Sequence, residues 1–234
     1  MRGVILGVAL LSPLPAFAQA YQCRVPGNIE LPQPIQPDGP SLRTEIGGYT
    51  LALSWSPEYC RGGRADDPGN MQCNGRNGRF GFVLHGLWPE AWGGGKPPQW
   101  CSLTPRPSAD EMRRNMCITP VPWLLEHEWA KHGSCMSPNP SAYFKASAIL
   151  WNSLHLPDAD RLSRKPGLAA GDLRDAFVAL NPAVPRGAVG ILAGNGGWLR
   201  EVHLCYGKDF MPRACDRRGY GPRDTTPLRI WRGL

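Results

Sequence analysis

Two stretches of the chain alternate side chains with the period of a β-strand. Large apolar residues alternate with small ones over 49–55 (YTLALSW), as expected when one face of a strand is buried. The segment 80–89 (FGFVLHGLWP) keeps its phenylalanines on one side and directs His85 to the other. Gly86 then predicts a sharp exit from the strand, and Pro89 predicts the end of pairing because it lacks an N–H.

Helical patterns occupy the middle of the chain. Ser108 and Glu111 match a capping box for a short helix that ends near Met116. Pro122 opens a helix that carries EHEWAKHG (126–133), whose final glycine predicts a left-handed cap. The remaining elements are predicted as helices over 141–154 and 172–180, the second capped by Asp172 and ended by Asn181, and as strands over 189–193, 198–206 and 228–231. These elements predict an α+β fold with a central antiparallel sheet.

The segment EHEWAKHG places four polar side chains on one arc of its helix, while the tryptophan and alanine between them face a core. The i,i+4 pairs are His127 with Lys131 and Glu128 with His132. The two histidines are five residues apart, which turns them about 140° from each other and disfavours the shared ion of an H-E-x-x-H zinc site. The arc suits acid-base chemistry beside an anion. A metal-dependent hydrolase built on His127, Glu128 and His132 is the alternative.

Composition and segment character predict one exported domain. The chain has 234 residues, of which 42% are hydrophobic, enough for a single sizeable core. Residues 1–20 resemble a secretory signal peptide cleaved near Ala18 or Ala20, and they are too short and too interrupted by proline to span a bilayer. Residues 21–234 then form the domain, with 21–44 as a proline-rich N-terminal arm. We expect a secreted or periplasmic protein without a membrane anchor.

The cysteines favour disulfides over a metal. Eight cysteines follow the predicted signal peptide, and an even number in an exported chain favours four disulfides. No C-x-x-C is present, which disfavours a structural zinc site. Cys60 and Cys73 could close the long loop over 61–79.

The net charge has two interpretations. It is +7 with an isoelectric point near 9.1, and removal of Arg2 with the signal peptide leaves +6 (7 − 1). A basic surface favours polyanions such as nucleic acid. The same charge would also serve solubility alone, and charge does not distinguish the two.

Two blocks carry a family resemblance. FVLHGLWPE (82–90) and EHEWAKHGSC (126–135) closely resemble the two active-site segments of the ribonuclease T2 family of acid-type endoribonucleases. The similarity extends more loosely from the strand at 49 to LREVHLCYG (199–207). Alone, a histidine on a buried strand is more often a core residue that a backbone carbonyl satisfies. Two ordered blocks together favour a catalytic site, and the fold implied is ribonuclease T2-like.

The resemblance implies metal-independent cleavage of single-stranded RNA through a 2′,3′-cyclic phosphate to 3′-phosphate ends, with no cofactor. His132 would be the general base and His85 the general acid, tasks that histidine can share near neutral pH. The other implied catalytic residues are His127, which would bind the phosphate, and Glu128 and Lys131, which would stabilise the pentacoordinate state. DNA lacks the 2′-hydroxyl and should remain uncut.

The resemblance also implies binding residues and disulfides. Trp88 would position the sugar and base by stacking, and Glu90 stands where many members have aspartate, at a position tied to base recognition. The suggested disulfides are Cys101–Cys135 and Cys205–Cys215, with Cys60–Cys73 as a local loop and Cys23–Cys117 as the remaining pair. The expected partner is RNA, for a monomer without an obligate protein partner. His155 and His203 are interpreted as structural, and a catalytically silent RNA-binding module is the second alternative.

Overall fold

The protein is described here by a computed structural model that covers residues 20–62, 64, 67 and 69–233. The predicted signal peptide over 1–20 lies, except for its last residue, outside the described residues. The strands are β1 (Ala20–Cys23), β2 (Ile46–Trp55), β3 (Gly78–Phe80), β4 (Phe82–Ala91), β5 (Val189–Ala193) and β6 (Leu199–Gly207). The helices are α1 (Ser56–Cys60), α2 (Ala109–Asn115), α3 (Pro122–Lys131), α4 (Pro140–Asn152), α5 (Ala159–Leu162), α6 (Ala170–Leu180) and α7 (Arg217–Tyr220).

A four-stranded antiparallel sheet, in the order β4-β2-β6-β5, forms the centre of the molecule, and β1 pairs with β3 separately. The alternation over 49–55 is explained by β2, which is flanked on both sides and buries Leu51 and Leu53 completely. Helices α3 and α4 pack against this sheet through Trp129 and Tyr143, whose side chains are also buried. The predicted α+β class with a central antiparallel sheet is confirmed.

The predicted end of the second strand is wrong. Strand β4 continues to Ala91, with Pro89 paired to Tyr49 and Glu90 to Gly48. Because β4 lies at the edge of the sheet, its proline has an open side on which no ladder hydrogen bond is lost.

Gly86 is not an exit from the strand either. Leu53 pairs with Leu84 and Ala52 with Gly86, so His85 is the extra residue of a β-bulge in the middle of β4. The glycine is required for close packing: a Cβ there would lie 2.0 Å from Glu128 Oε2.

The predicted helix ends are partly confirmed. The capping box of Ser108 and Glu111 is present as predicted, whereas two other predicted caps differ. Helix α3 ends at Lys131, and Gly133 begins a 3-10 turn without a positive φ; a Cβ there would lie 2.6 Å from the Tyr143 ring. Asp172 is not an N-cap, because it lies inside the first turn of α6 and accepts a hydrogen bond from the Ala169 N–H (2.9 Å).

The last predicted strand, over 228–231, is wrong. Within the described residues, the β-pairing of this segment is limited to an isolated bridge between Arg229 and Trp198. The apolar side chains of Leu228 and Ile230 are nevertheless buried, which explains the alternation that suggested a strand.

The proline-rich arm is fastened along one side of the domain. The described residues 24–45 contain no helix and no strand beyond a single bridge at Leu42. Arg113 donates to the Pro26 carbonyl (3.0 Å) and Arg106 to the Pro32 carbonyl (2.7 Å). Four disulfides are present, in the pairs Cys23–Cys117, Cys60–Cys73, Cys101–Cys135 and Cys205–Cys215. No helix in the described part of the chain is long and apolar enough to cross a bilayer.

Candidate active site

The bulge in β4 and the helix α3 meet at a single buried carboxylate. Glu128 is 3% exposed, and its Oε2 accepts a hydrogen bond from Trp88 Nε1 (2.6 Å). Its Oε1 lies 3.4 Å from His85 Nε2, and its Oε2 lies 4.0 Å from His132 Nε2. The two predicted catalytic histidines therefore converge on opposite oxygens of one carboxylate.

Trp88 fixes the geometry between the histidines. Its indole is held by the bond to Glu128, and its ring lies edge-on to His85 (5.2 Å between centroids) and tilted against His132 (5.6 Å). Gly86 keeps this junction tight, since its missing Cβ would also lie 2.9 Å from Trp88 Nε1. The side chains of the two predicted blocks thus share one cluster.

Strand β6 contributes a second carboxylate that sequence reasoning did not identify. Glu201 Oε1 lies 2.7 Å from His85 Nδ1, and Glu201 Oε2 lies 2.8 Å from His203 Nε2. Ser54 of β2 donates to the same carboxylate (3.2 Å). His203, interpreted above as structural, is therefore bonded to the group that holds His85, and its ring lies 5.4 Å from that of Trp88. The available signal was the even spacing of Glu201 and His203 on one face of a predicted strand.

The two histidines have opposite electrostatic environments. Burial disfavours charge on His85, but its contacts with Glu128 and Glu201 outweigh burial and raise its pKa to about 10. Burial lowers the pKa of His132 to about 4, because Glu128 offsets only part of the effect and the Lys131 cation adds to it. At neutral pH His85 is therefore protonated and His132 is neutral.

The ring nitrogens of His132 explain part of this difference. Its Nδ1 is buried and has no hydrogen-bond partner among the described residues, so none of them stabilises an imidazolium there. Both carboxylates that flank His85 remain ionised. Burial opposes their charge, yet the imidazolium of His85 holds the pKa of Glu128 below its usual range, and His203 with His85 does the same for the pKa of Glu201.

His127 and Lys131 lie beside this cluster rather than within it. The His127 ring stacks on Trp123 (4.9 Å) and meets the edge of Trp100 (5.3 Å), and burial lowers its pKa. Lys131 Nζ lies 2.7 Å from a carboxylate oxygen of Asp38, a residue of the arm that the sequence did not indicate.

A pocket of about 780 Å³ opens on the other side of Trp88. Trp88, Glu90 and His203 line it together with Thr50, which donates a hydrogen bond to Glu90 (2.8 Å). Burial raises the pKa of Glu90, and the bond from Thr50 offsets only part of that rise. The ring of Trp88 thus contacts His85 and His132 and also lines a concave surface that carries the half-buried carboxyl group of Glu90.

The three donors of the metal-dependent alternative do not all face one point. Glu128 Oε2 lies 4.0 Å from His132 Nε2, but His127 faces two tryptophan rings. In the described part of the chain, no group of three or more His, Cys, Asp and Glu side chains is arranged to hold a metal ion. What the cluster offers chemically is a protonated imidazole and a neutral imidazole on either side of one tryptophan, the arrangement expected of an acid and a base.

Comparison with known proteins gives consistent results. The model of the ribonuclease T2 family matches residues 46–164, a region that contains His85 and the whole of α3. A probable ribonuclease of Haemophilus influenzae is 35% identical over 190 residues, which cover 77% of this chain and 65% of that protein. The chain thus spans slightly less than two thirds of this relative.

A second relative and a solved structure extend the comparison. A ribonuclease of Aeromonas hydrophila is 32% identical over 172 residues, covering 70% of this chain and 74% of that protein. The structure of trichomaglin, described as an S-like ribonuclease, superposes with a TM-score of 0.60 at 25% identity and covers 79% of this chain and 98% of its own.

Proposed function

Because the chain belongs to the ribonuclease T2 family, we propose that it is a metal-independent endoribonuclease that cleaves single-stranded RNA by His/His acid-base catalysis. The observation that carries the proposal is the placement of His85 and His132 on the two oxygens of Glu128, with opposite protonation states. Cleavage of RNA by its own 2′-hydroxyl requires one group to take a proton and another to give one.

The first step is a transphosphorylation. His132 Nε2 removes the proton of the 2′-hydroxyl while the 2′-oxygen forms a bond to phosphorus. His85 Nε2 protonates the departing 5′-oxygen as the P–O5′ bond breaks, which yields a 2′,3′-cyclic phosphate. The histidines then exchange tasks, and water opens the cyclic phosphate to a 3′-phosphate. Nε2 is assigned in both rings because Nδ1 of His85 is bonded to Glu201 and Nδ1 of His132 is buried.

The phosphorane charge would be met by two donors beside His132. Lys131 and His127 lie on α3, which ends just before His132, and would donate hydrogen bonds to the non-bridging oxygens. Glu128 is ionised, so direct contact with an anionic phosphorane would be repulsive. We therefore assign its contribution to the orientation and charge of His85, Trp88 and His132, all of which it contacts.

The pocket behind Trp88 is the proposed site for a nucleobase. Every base has a face that stacks on an indole, which makes Trp88 a sequence-tolerant platform. Glu90 projects into the same pocket and would contact the polar edge of the base. The pKa of Glu90 is raised, so its carboxyl group stays protonated to a higher pH than that of an ordinary glutamate. In mildly acidic solution Glu90 could therefore donate as well as accept a hydrogen bond.

Export is part of the proposal. The protein has four disulfides. Disulfides form and persist in oxidising compartments such as the periplasm or the extracellular medium. We therefore propose that the protein acts in one of these compartments, as a monomer, on RNA that reaches it.

The function is tested by incubating the purified protein with a single-stranded RNA and with DNA of the same sequence, with and without excess EDTA. We expect RNA fragments that end first in 2′,3′-cyclic phosphate and later in 3′-phosphate, unchanged by EDTA, and intact DNA. Loss of cleavage in EDTA would favour the metal-dependent hydrolase. A gel shift of RNA without shortening between pH 4 and pH 8 would favour the silent RNA-binding module.

A further inference from the structure

We propose that Glu201 is a positioning residue of the acid-base pair: its carboxylate binds His85 through one oxygen and His203 through the other, joining the proton donor to the wall of the base pocket. This inference depends on the proposed function. Glu201 lies on β6, outside the region 46–164 that the family model matches.

The contacts of Glu201 are those of a fixed orienting group. Its side chain is 12% exposed and accepts from Ser54 Oγ (3.2 Å), while its two oxygens meet the two imidazoles at 2.7 and 2.8 Å. With Nδ1 of His85 engaged in this way, Nε2 is the nitrogen that faces α3, where Glu128 lies 3.4 Å away. A carboxylate that binds one ring nitrogen fixes both the orientation of the ring and the nitrogen that carries the transferable proton.

The polar groups around His85 come from three elements. Glu128 approaches from α3 and Glu201 from β6, and both carboxylates raise the pKa of His85. Ser54 of β2 also contacts the ring at 3.4 Å. Removal of the charge of Glu201 therefore leaves Glu128 as the one ionised carboxylate, among the described residues, that contacts His85.

The second contact, to His203, connects the donor with bound substrate. His203 lines the 780 Å³ pocket with Trp88 and Glu90. Because His203 and His85 bind the same carboxylate, a nucleobase that displaces His203 in the pocket would also displace Glu201, which holds His85.

The test compares Glu201→Gln with Glu126→Gln. Glutamine at 201 keeps the shape but removes the charge. Glu126 is a matched control, since it is a buried carboxylate on α3 that pairs with Arg106 (2.8 Å) outside the site. For Glu201→Gln we expect the alkaline limb of the kcat/KM profile to shift to lower pH, and kcat at pH 8 to fall by roughly tenfold or more with a smaller change in KM. For Glu126→Gln we expect a lower Tm and an unchanged pH profile.

A second readout does not need RNA. The NMR titration of the His85 ring should shift to lower pH in Glu201→Gln and stay in place in Glu126→Gln. An unchanged His85 titration, or a loss of Tm without a shift of the alkaline limb, overturns the inference. Failure of the unmodified protein to cleave RNA would instead overturn the proposed function, which keeps the two outcomes distinct.

A different observation, on the arm, carries a second inference. We infer that Asp38 occupies the position of a substrate phosphate oxygen at Lys131 and acts as an internal competitor. Its two oxygens lie 2.7 and 3.0 Å from Lys131 Nζ, and Trp100 Nε1 donates to one of them (3.0 Å). This contact also depends on the proposed role of Lys131.

The arm holds Asp38 in place on both sides. Upstream, Ile35 packs with Trp100 and Ala130, and downstream, Gln99 donates to the Pro40 carbonyl (3.0 Å). The ion pair itself is exposed, with 54% of the Asp38 side chain accessible, so a polyanion can displace it at small cost. Asp38 would weaken RNA binding without blocking it.

The test compares Asp38→Asn with Asp160→Asn. The second variant removes the same charge from α5, where Asp160 forms an exposed pair with Arg164. At low ionic strength we expect kcat/KM on RNA to rise several-fold for Asp38→Asn and to change little for Asp160→Asn. Inhibition by inorganic phosphate should also become stronger in Asp38→Asn. An equal rise in both variants would reduce the effect to net charge, and a fall in Asp38→Asn would make Asp38 a support for Lys131; either result overturns the inference.

Discussion

Two side chains of one chemical type have been given opposite properties by their surroundings. His85 lies between two carboxylates. In the part of the chain that the structure describes, His132 has a buried Nδ1 without a partner, and its ion-pair contact is one carboxylate oxygen at 4.0 Å. Carboxylates stabilise an imidazolium, and burial without them disfavours it. The separation of their pKa values, to about 10 and about 4, supports the proposal that His85 is the acid and His132 the base at neutral pH.

This separation predicts a broad pH profile. The rate should fall in acid as His132 gains a proton, at a pH below the ordinary histidine pKa of about 6.5. It should fall in alkali as His85 loses its proton, at a pH well above that pKa. We expect kcat/KM of the unmodified enzyme to stay nearly constant between about pH 6 and pH 8. A narrow bell centred near pH 6.5 in a stopped assay with a dinucleotide would contradict the assignment.

At the scale of elements, the site depends on the close approach of β4 and α3. The bulge at His85 changes the direction of its side chain, and Gly86 leaves room for the Glu128 carboxylate beside the strand. Both effects arise only when β4 and α3 pack together, so neither can be read from one segment of the sequence alone. This is why the sequence predicted residues that do lie together around Glu128, but wrongly predicted that the strand leaves the sheet at Gly86 and ends at Pro89.

Gly86→Ala should damage the site and the fold together. Its Cβ would lie 2.0 Å from Glu128 Oε2, so the helix or the strand must shift, and we expect a loss of about 1–3 kcal/mol in the free energy of unfolding with a large loss of kcat. Gly27→Ala is the matched control, because a Cβ there meets nothing within 4 Å, and its effect should stay within about 0.5 kcal/mol. Urea unfolding and RNA cleavage measure both. Equal stability and activity of the two variants would refute the close approach.

At the scale of the whole molecule, the site is completed by segments that are distant in sequence. The contiguous blocks over 82–90 and 126–135 could be recognised from sequence because each carries its own side-chain pattern. Glu201 and Asp38 could not, since their roles depend on the pairing of β6 with β2 and on the path of an arm without regular structure. The tertiary fold brings them to His85 and Lys131, and no local periodicity records that.

A disulfide should contribute more to stability the longer the loop it closes, with the logarithm of the loop length. Cys23–Cys117 spans 94 residues and fastens the start of the arm, whereas Cys205–Cys215 spans 10. Loop-closure entropy predicts a loss of about 4.7 kcal/mol for Cys23→Ala with Cys117→Ala, and just under about 3 kcal/mol for Cys205→Ala with Cys215→Ala. Urea unfolding at neutral pH provides the comparison. A smaller loss for the longer loop would show that the arm is not held as described.

The central claim is that His85 and His132 act as acid and base on one phosphodiester, and substrates with different leaving groups test it most directly. The dinucleotide UpA needs a proton on its departing oxygen, whereas the phenolate of uridine 3′-(4-nitrophenyl phosphate) leaves without one. We expect His85→Ala and His132→Ala each to lose at least about 100-fold in kcat/KM on UpA. On the aryl ester, His85→Ala should recover to within about tenfold of the unmodified enzyme while His132→Ala remains impaired. Equal losses of His85→Ala on both substrates, or recovery by His132→Ala instead, would contradict the account.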